Sequence, residues 1–298
     1  MRQFLGVDLG GTSIKTGVVD ENGQVTDHLS FKTPNSRDEI FSLINQRAES
    51  IADVRGVGIS IPGYVSPNGL VRKAGALTSL AGLNIKSKLE EMLALPVSVE
   101  NDANSFARAE AWQGVGRDKQ NFIVTTVGTG VGSGIYIGGR LFRGTHDRSG
   151  ETGYMVVADV VDDDTDLASI NKKASIPGLL RYYEEHANHP AKDGEAVYQM
   201  ANDGDFSAVK AVQRFTLEVS KGLYNLTVLF DPELLVIGGG ISSNSQFLHE
   251  VQQRYQVLCT LNGSLSTDEL PAIVPATFRN DGGMIGAVSM LVLGNGAR

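Results

Sequence analysis

The stretch Phe122–Ile137, FIVTTVGTGVGSGIYI, carries glycine at every second position from Gly128 to Gly134, between two runs that read as buried strands. Four glycines so spaced make a poor ordinary strand, because each costs backbone entropy and packs nothing. Close approach of the backbone to a ligand explains them better. An earlier stretch, Phe4–Val19, FLGVDLGGTSIKTGVV, follows the same plan: an apolar run, the turn Asp8-Leu9-Gly10-Gly11-Thr12, then a second apolar run. Glycines let N–H groups come close to a polyanion, and a threonine hydroxyl adds one more donor. Two such cradles in one chain point to nucleotide phosphates held between two related halves.

The rest of the chain supports that division. Phe4–Asp8, Ser13–Asp20 and Gln24–Phe31 read as consecutive strands, with Asp20-Glu21-Asn22-Gly23 as a turn. Ser36 is placed as N-cap of a helix with Ile40, Phe41, Ile44 and Ala48 at helical spacing. Val54–Ile61 reads as a buried strand stopped by Pro62-Gly63, Leu95–Val99 as a short strand, and Ala103–Gln113 as a helix ended by Gly114 and Gly116. The pattern then restarts, with strands at Phe122–Val127, Gly134–Ile137 and Arg140–Phe142. Helices follow at about Ala174–Ala187, Ser207–Leu229, Ser245–Gln256 and Gly283–Leu293, and the strand Leu234–Ile237 runs into Gly238-Gly239-Gly240. Each half opens on a β-meander and then alternates helix and strand. This order predicts a duplicated α/β unit with a cleft between the copies. The expected domains are 1–116, with the first cradle, and 117–298, with the second, the last helix being able to pack back on the first.

Composition narrows the function classes. The 298 residues exceed what one compact core usually needs, and 41% hydrophobic with 20% charged residues describes an ordinary soluble globular protein. With 26 basic and 34 acidic side chains, the net charge of −8 argues against non-specific binding to nucleic acid or to an anionic membrane surface. An acidic protein that holds an anionic nucleotide must use local backbone donors and a metal ion. A single cysteine, Cys259, excludes an intrachain disulfide and a cysteine-rich zinc site. The N-terminus enters a strand without an apolar signal stretch, and no apolar segment approaches the roughly 20 residues of a membrane span. A cytoplasmic location is expected.

Several short motifs carry chemistry. Gly10-Gly11 alone is an ordinary hairpin turn, but Asp8 beside it, at a strand end, can orient a hydrated Mg²⁺. In Glu100-Asn101-Asp102-Ala103-Asn104, Asn101 or Asp102 serves equally as a helix N-cap. Yet a carboxylate at a strand's C-terminal end, near a phosphate cradle, is placed to accept a substrate hydroxyl's proton as that oxygen attacks a γ-phosphoryl group. Asn101 offers the donor and acceptor that sugar hydroxyls require. In Gly150-Glu151-Thr152-Gly153-Tyr154, Glu151 reads as surface charge or ligand contact, and Tyr154 as core edge or pocket wall. Gly238–Gly240 either turns strand into helix or makes room for a purine ring. The acidic run Asp159–Asp166 has calcium-loop spacing at Asp162, Asp164 and Asp166, but Leu167 and Lys173 stand where glycine and a bidentate glutamate belong, so a solvated loop is expected. No G-x-x-x-x-G-K-[ST] or G-x-G-x-x-G string fits the two cradles.

Together these strings resemble the ROK family (repressors, open reading frames and sugar kinases). DLGGTSIK at Asp8–Lys15, Pro62-Gly63, ENDAN at Glu100–Asn104, TVGTGVGSG at Thr126–Gly134, GETGY at Gly150–Tyr154 and IGGGI at Ile237–Ile241 stand in the family's order and spacing. The resemblance implies a duplicated actin-like, RNase H-type ATPase fold and transfer of the γ-phosphate of ATP, with Mg²⁺, to a hexose 6-hydroxyl. It implies Asp102 as general base and a sugar pocket of Gly63, Asn101, Asp102, Glu151, Tyr154 and Asn171. It places nucleotide against Asp8, Gly10, Gly11, Thr12, Lys15, Thr129, Gly130, Val131, Gly132, Gly239 and Gly240. A homodimer is implied as well.

The chain also departs from that pattern. Most members carry histidine where Tyr154 stands, and it ligates a structural zinc with three cysteines. Here the corresponding stretch, Asp162–Ser169, has no cysteine, so zinc is not expected. The glutamate that follows it in the family and touches the sugar is replaced by Asn171, on the register of Ala174-Ser175. Zinc-free members resemble N-acetylmannosamine, fructose or β-glucoside kinases as much as glucokinases, so plain glucose is not expected to be uniquely preferred. Two other classes stand beside the kinase: a sugar-sensing repressor, for which a helix-turn-helix segment ahead of the first cradle would be expected, and a non-catalytic actin-like nucleotide-binding protein, against which the Asn101-Asp102 pair and Glu151 argue.

Overall fold

The computed structural model describes residues 1–160, 164–262 and 265–294. Strands β1 (Gln3–Leu9), β2 (Ser13–Asp20) and β3 (Val25–Lys32) form a meander, followed by α1 (Arg37–Glu49) and β4 (Val54–Ile61). A small hairpin of β5 (Tyr64–Val65) and β6 (Val71–Lys73) precedes α2 (Ile85–Leu93), β7 (Val97–Asn101) and α3 (Asp102–Gln113). The plan then repeats with β8 (Phe122–Val127), β9 (Val131–Ile137) and β10 (Arg140–Leu141). Helices α4 (Ile170–Lys173), α5 (Ile176–Ala187), α6 (Gly194–Asn202) and α7 (Phe206–Phe230) lead to β11 (Leu234–Gly238), α8 (Ser245–Asn262), β12 (Ala272–Pro275) and α9 (Gly282–Leu293).

The two sheets have one topology. The first is ordered β3-β2-β1-β4-β7 and the second β10-β9-β8-β11-β12. In each, a β-meander supplies three strands and two parallel strands complete the sheet. This is the duplicated α/β unit that the element order predicts.

By contact, the chain forms two compact units: Met1–Gln120 with Gly134–Gly150 and Thr277–Arg298, and Asn121–Ser133 with Glu151–Ala276. These differ from the ranges 1–116 and 117–298. The last helix, α9, belongs with the first unit because Met284, Ile285 and Val288 bury themselves against Phe4 and Val19 of the first sheet and Ala109 and Trp112 of α3. The 134–150 stretch joins it through Gly134, where an added Cβ would lie 2.4 Å from Ala107 Cβ.

In the first unit, the opposite sheet face is covered by α1 and α2, with Leu5, Val7, Ile59, Ile40, Ile44, Ile85 and Leu89 in one buried cluster. The α9 face packs at backbone distance: a Cβ on Gly58 would stand 2.6 Å from Val288 N, and one on Gly286 only 1.7 Å from Ser105 O. Ser36 caps α1 as expected, accepting from Glu39 N at 3.2 Å. In the second unit, the 25-residue α7 buries Phe215 against Phe247 of α8, the rings stacked 5.7 Å apart.

Sequence reading passed over the segment from 64 to 94, which holds the β5–β6 hairpin and α2, and it passed over α6 and β12. The strand expected at Leu95–Val99 lies at Val97–Asn101, and α3 begins one residue early, at Asp102. Val161–Asp163, with Asp162 of the acidic run, lie outside the described residues; Asp164 and Asp166 are exposed. Among the described residues no helix is long and apolar enough to cross a membrane.

Candidate active site

The residues singled out in the sequence divide between the two units, and each unit builds its own group. In the first, sheet register does the positioning. Asp8 of β1 stands opposite Lys15 on β2 and opposite Ser60 on β4. Ser60 Oγ donates to Asp8 Oδ1 at 2.9 Å. Burial raises the Asp8 pKa most; the Ser60 hydrogen bond and the Lys15 charge pull it down, and Asp281 pushes it up. The start of α9 closes in on the same carboxylate, since a Cβ on Gly283 would lie 3.0 Å from Asp8 Oδ1.

The turn beside Asp8 is tight. Gly10 N donates to Ser13 O at 3.0 Å, and Thr33 Oγ1 donates to Gly10 O at 2.7 Å. Gly11 and Thr12 are exposed at its tip, where N–H groups can reach an anion.

Asn101 and Asp102 sit where β7 becomes α3. Asn101 is the N-cap, its Oδ1 accepting from Asn104 N at 3.0 Å. Its Nδ2 donates to Asp102 Oδ1 and to Gly63 O, both at 2.9 Å. Gly63 has φ +102, and a Cβ there would fall 2.0 Å from Lys73 O. Only glycine fits, so the Pro62-Gly63 turn sets the carbonyl that holds Asn101. The Asp102 pKa is pushed up to about 6, chiefly by burial; the Ala103 N–H and Asn101 oppose the shift, and the Asp8 charge adds to it. A carboxylate so tuned is ionised near neutrality yet basic enough to take a proton.

Beneath this pair lies a network that sequence reading missed. Glu100 is fully buried and accepts from Asn101 N at 3.0 Å, from Arg108 Nε at 2.9 Å, and from Arg143 Nη2. Arg143 also donates to Val65 O at 3.3 Å. Burial pushes the adjacent Tyr136 hydroxyl up to about 12, so it stays protonated. A glutamate directly after Val99, in a strand otherwise buried, is the available signal for a buried ion pair; nothing local marks Arg143 as its partner.

The second unit holds the other glycine loop. Gly128 N donates to Gly130 O at 3.0 Å, and Thr129 and Gly130 are exposed. Val131 N, expected to face nucleotide, donates instead to Asn171 Oδ1 at 2.8 Å. Asn171, expected at the sugar, therefore commits that oxygen to the loop. Gly239 has φ +87, and a Cβ would lie 2.4 Å from Val127 O, so the start of the Gly239-Gly240 turn packs directly under β8. Glu151 is half-buried at the start of a 3₁₀ turn, Thr152–Tyr154, and Tyr154 is exposed.

Mg²⁺ keeps most of its waters and binds through one or two carboxylates plus substrate phosphates. Asp8 fits that demand: it stands at a strand end beside the first glycine turn, the Asp281 charge raises its proton affinity, and a cation beside it would relieve that repulsion. Among the described residues no group of three or more His, Cys, Asp or Glu side chains could form an all-protein metal cage.

A profile of the ROK family matches residues 4–293. The chain is similar to the β-glucoside kinase of Listeria monocytogenes, with 34% identity over 94% of each chain. Among solved structures it is similar to a ROK family protein from Streptococcus pneumoniae in complex with sucrose (TM-score 0.87, 29% identity, 96% of each chain). It is also similar to a ROK family glucokinase from Streptomyces griseus in complex with glucose and AMPPNP (TM-score 0.83, 28% identity, 97% and 98% of the two chains).

Proposed function

The chain belongs to the ROK family, and from that premise we propose that it is an ATP-dependent sugar kinase acting on the 6-hydroxyl of a hexose or N-acyl hexosamine. The fold is the duplicated actin-like ATPase fold of the family's sugar kinases. The observation that carries the reading is the Asn101–Asp102 pair, a carboxylate with a pKa of about 6 held at a strand end.

In the proposed reaction Asn101 orients the sugar and Asp102 accepts the hydroxyl proton. The sugar oxygen then forms a bond to the γ-phosphorus while the bond from that phosphorus to the β,γ-bridging oxygen breaks, releasing ADP. Gly11 and Thr12 in the first glycine turn, and Thr129 and Gly130 in the second, would offer exposed donors to phosphate oxygens. Mg²⁺, when bound, spreads the charge that develops on the phosphates, and Asp8 would hold it through water. Glu151 would accept from sugar hydroxyls, with Tyr154 at the edge of the pocket. The relatives' names, a β-glucoside kinase and a glucokinase, support the sugar class.

An exposed tyrosine at 154 presents a flat ring with one hydroxyl, which suits a substituted or modified hexose as well as plain glucose. The test is a coupled ADP-release assay with glucose, mannose, fructose, N-acetylmannosamine and a β-glucoside. Activity on at least one, with glucose ahead of the others by less than 100-fold in kcat/KM, is expected. A glucose preference beyond 100-fold would remove the pocket argument, and no activity on any sugar would remove the kinase reading.

A further inference from the structure

Asn171 joins three segments of the second unit at one point. It lies on the single-turn helix α4, capped by Ser169, whose Oγ accepts from Lys172 N at 3.4 Å. Its Oδ1 accepts from Val131 N at 2.8 Å, on the loop that follows β8. The same oxygen stands 2.4 Å from where a Cβ on Gly153 would be, and 3.3 Å from one on Gly130. Gly153 is thus kept free of a side chain so that Asn171 can reach across the Glu151–Tyr154 turn to the glycine loop.

A second anchor works on the other side of the loop's tip. Ile176 N, at the start of α5, donates to Gly128 O at 2.9 Å. Ser175, which caps α5, also donates through Oγ to Asn171 O at 2.5 Å, so both anchors belong to one rigid corner. A chain of buried hydroxyls reinforces it: Thr125 Oγ1 and Ser133 Oγ are 3.0 Å apart, and Ser133 Oγ and Thr152 Oγ1 are 2.9 Å apart. Between the two anchors lie only Thr129 and Gly130, both exposed. A glycine-rich tip has many conformations to lose on meeting a ligand, and fixing its ends lowers that entropy cost.

We propose that Asn171 is a positioning residue of the nucleotide site, which holds the Thr129–Gly130 tip ready for phosphate through Val131 N and does not select the sugar. This rests on reading the glycine loop as a nucleotide cradle. The amide suits the task because it supplies an acceptor without a negative charge beneath a loop that takes a polyanion.

The test measures KM for ATP and for the best sugar of the panel, and calorimetric Kd for AMPPNP, in wild type, Asn171→Ala and Asn171→Asp. Asn171→Ala removes the acceptor and should raise the ATP KM and the AMPPNP Kd about tenfold while the sugar KM stays within twofold. Asn171→Asp keeps an acceptor at the same reach but adds charge, so AMPPNP binding should weaken while adenosine binding, which lacks phosphates, stays close to wild type. Should Asn171→Ala fail to fold, the Asp variant alone decides, through that contrast between AMPPNP and adenosine. A raised sugar KM with unchanged nucleotide affinity, equal losses for both substrates, or no change in either would overturn the proposal. Wild-type protein that binds AMPPNP yet phosphorylates no sugar would count against the proposed function and leave this inference standing; wild-type protein that does not bind AMPPNP would end both.

Discussion

Asn101 Nδ2 donates to Asp102 Oδ1 at 2.9 Å, and Ala103 N donates to that same oxygen at 2.9 Å. One carboxylate oxygen is thereby held by two donors, which leaves proton acceptance to Oδ2. An asparagine at 102 keeps Oδ1 and both of its hydrogen bonds but replaces the basic oxygen with an NH₂. Asp102→Asn is therefore expected to lower kcat by about 10²–10⁴-fold with AMPPNP affinity unchanged. Turnover within a few-fold of wild type would show that Asp102 is not the base.

The same substitution should stabilise the fold. The folded-state pKa of Asp102 is raised from 3.8 to about 6, so its protonated form is the one that folding favours. Its stabilising contribution is complete below pH 3.8 and is lost as pH rises through about 6. At pH 7.5 the neutral asparagine should gain on the order of 2 kcal/mol over the ionised wild type, seen as a higher Tm, and the gain should shrink as pH falls toward 4. A Tm difference that is flat across this range would remove burial as the cause of the shift.

Activity should follow the same group. The acid limb of the kcat/KM profile is expected near pH 6, rising as Asp102 ionises. Because the Asp8 charge helps raise that pKa, Asp8→Asn should shift the limb to lower pH in whatever activity it retains. A shift to higher pH would contradict the coupling.

Glu100 and Arg143 can be separated by stability. Glu100→Gln leaves Arg108 and Arg143, both largely buried, without their shared counter-charge, and should cost about 3–5 kcal/mol. Arg143→Ala leaves Glu100 paired with Arg108 at 2.9 Å and should cost less, about 1–3 kcal/mol. Urea unfolding of the two variants checks the order; a larger loss in Arg143→Ala would reverse it.

Two helical glycines should respond to alanine with opposite sign. Gly→Ala in a helix ordinarily gains about 1 kcal/mol. At Gly222 of α7 the new Cβ would meet only Ile170 Cδ1, 3.1 Å away at the end of a flexible side chain, beside a small apolar cavity, so Gly222→Ala should be neutral to stabilising. At Gly286 of α9 the Cβ would meet Ser105 O at 1.7 Å, and α9 would have to move off α3. Gly286→Ala should lose at least about 2 kcal/mol in a thermal melt. Equal effects at the two sites would mean that α9 is not held at backbone distance.

What the sequence made legible is what local chemistry controls. The strands around both glycine turns, the caps at Ser36 and Asn101, and the long apolar periodicity of α7 each depend on neighbours in the chain. The β5–β6 hairpin and α2 were opaque because their short apolar runs fit helix or strand equally. At the site, Asp8, Asn101 and Asp102 announced themselves as polar residues at strand ends. Arg143 did not, since its partner Glu100 lies 43 positions away and no periodicity links them. Asn171 was visible as a substitution in a motif, but its bond to Val131, 40 positions distant, came only from the path of the chain.

The placement of α9 in the first unit has a consequence for how the protein is made. A ribosome emits β1 through α3 first, then the second unit with the 134–150 stretch of the first inserted in it, and only then the helix that covers Phe4, Val19 and Trp112. At about 5–20 residues per second that interval lasts roughly ten to thirty seconds, during which one apolar face of the nascent sheet faces solvent or a chaperone. Messages cut short between codons 277 and 282 would yield a chain with a complete second unit and that face permanently open, a substrate for aggregation and quality control.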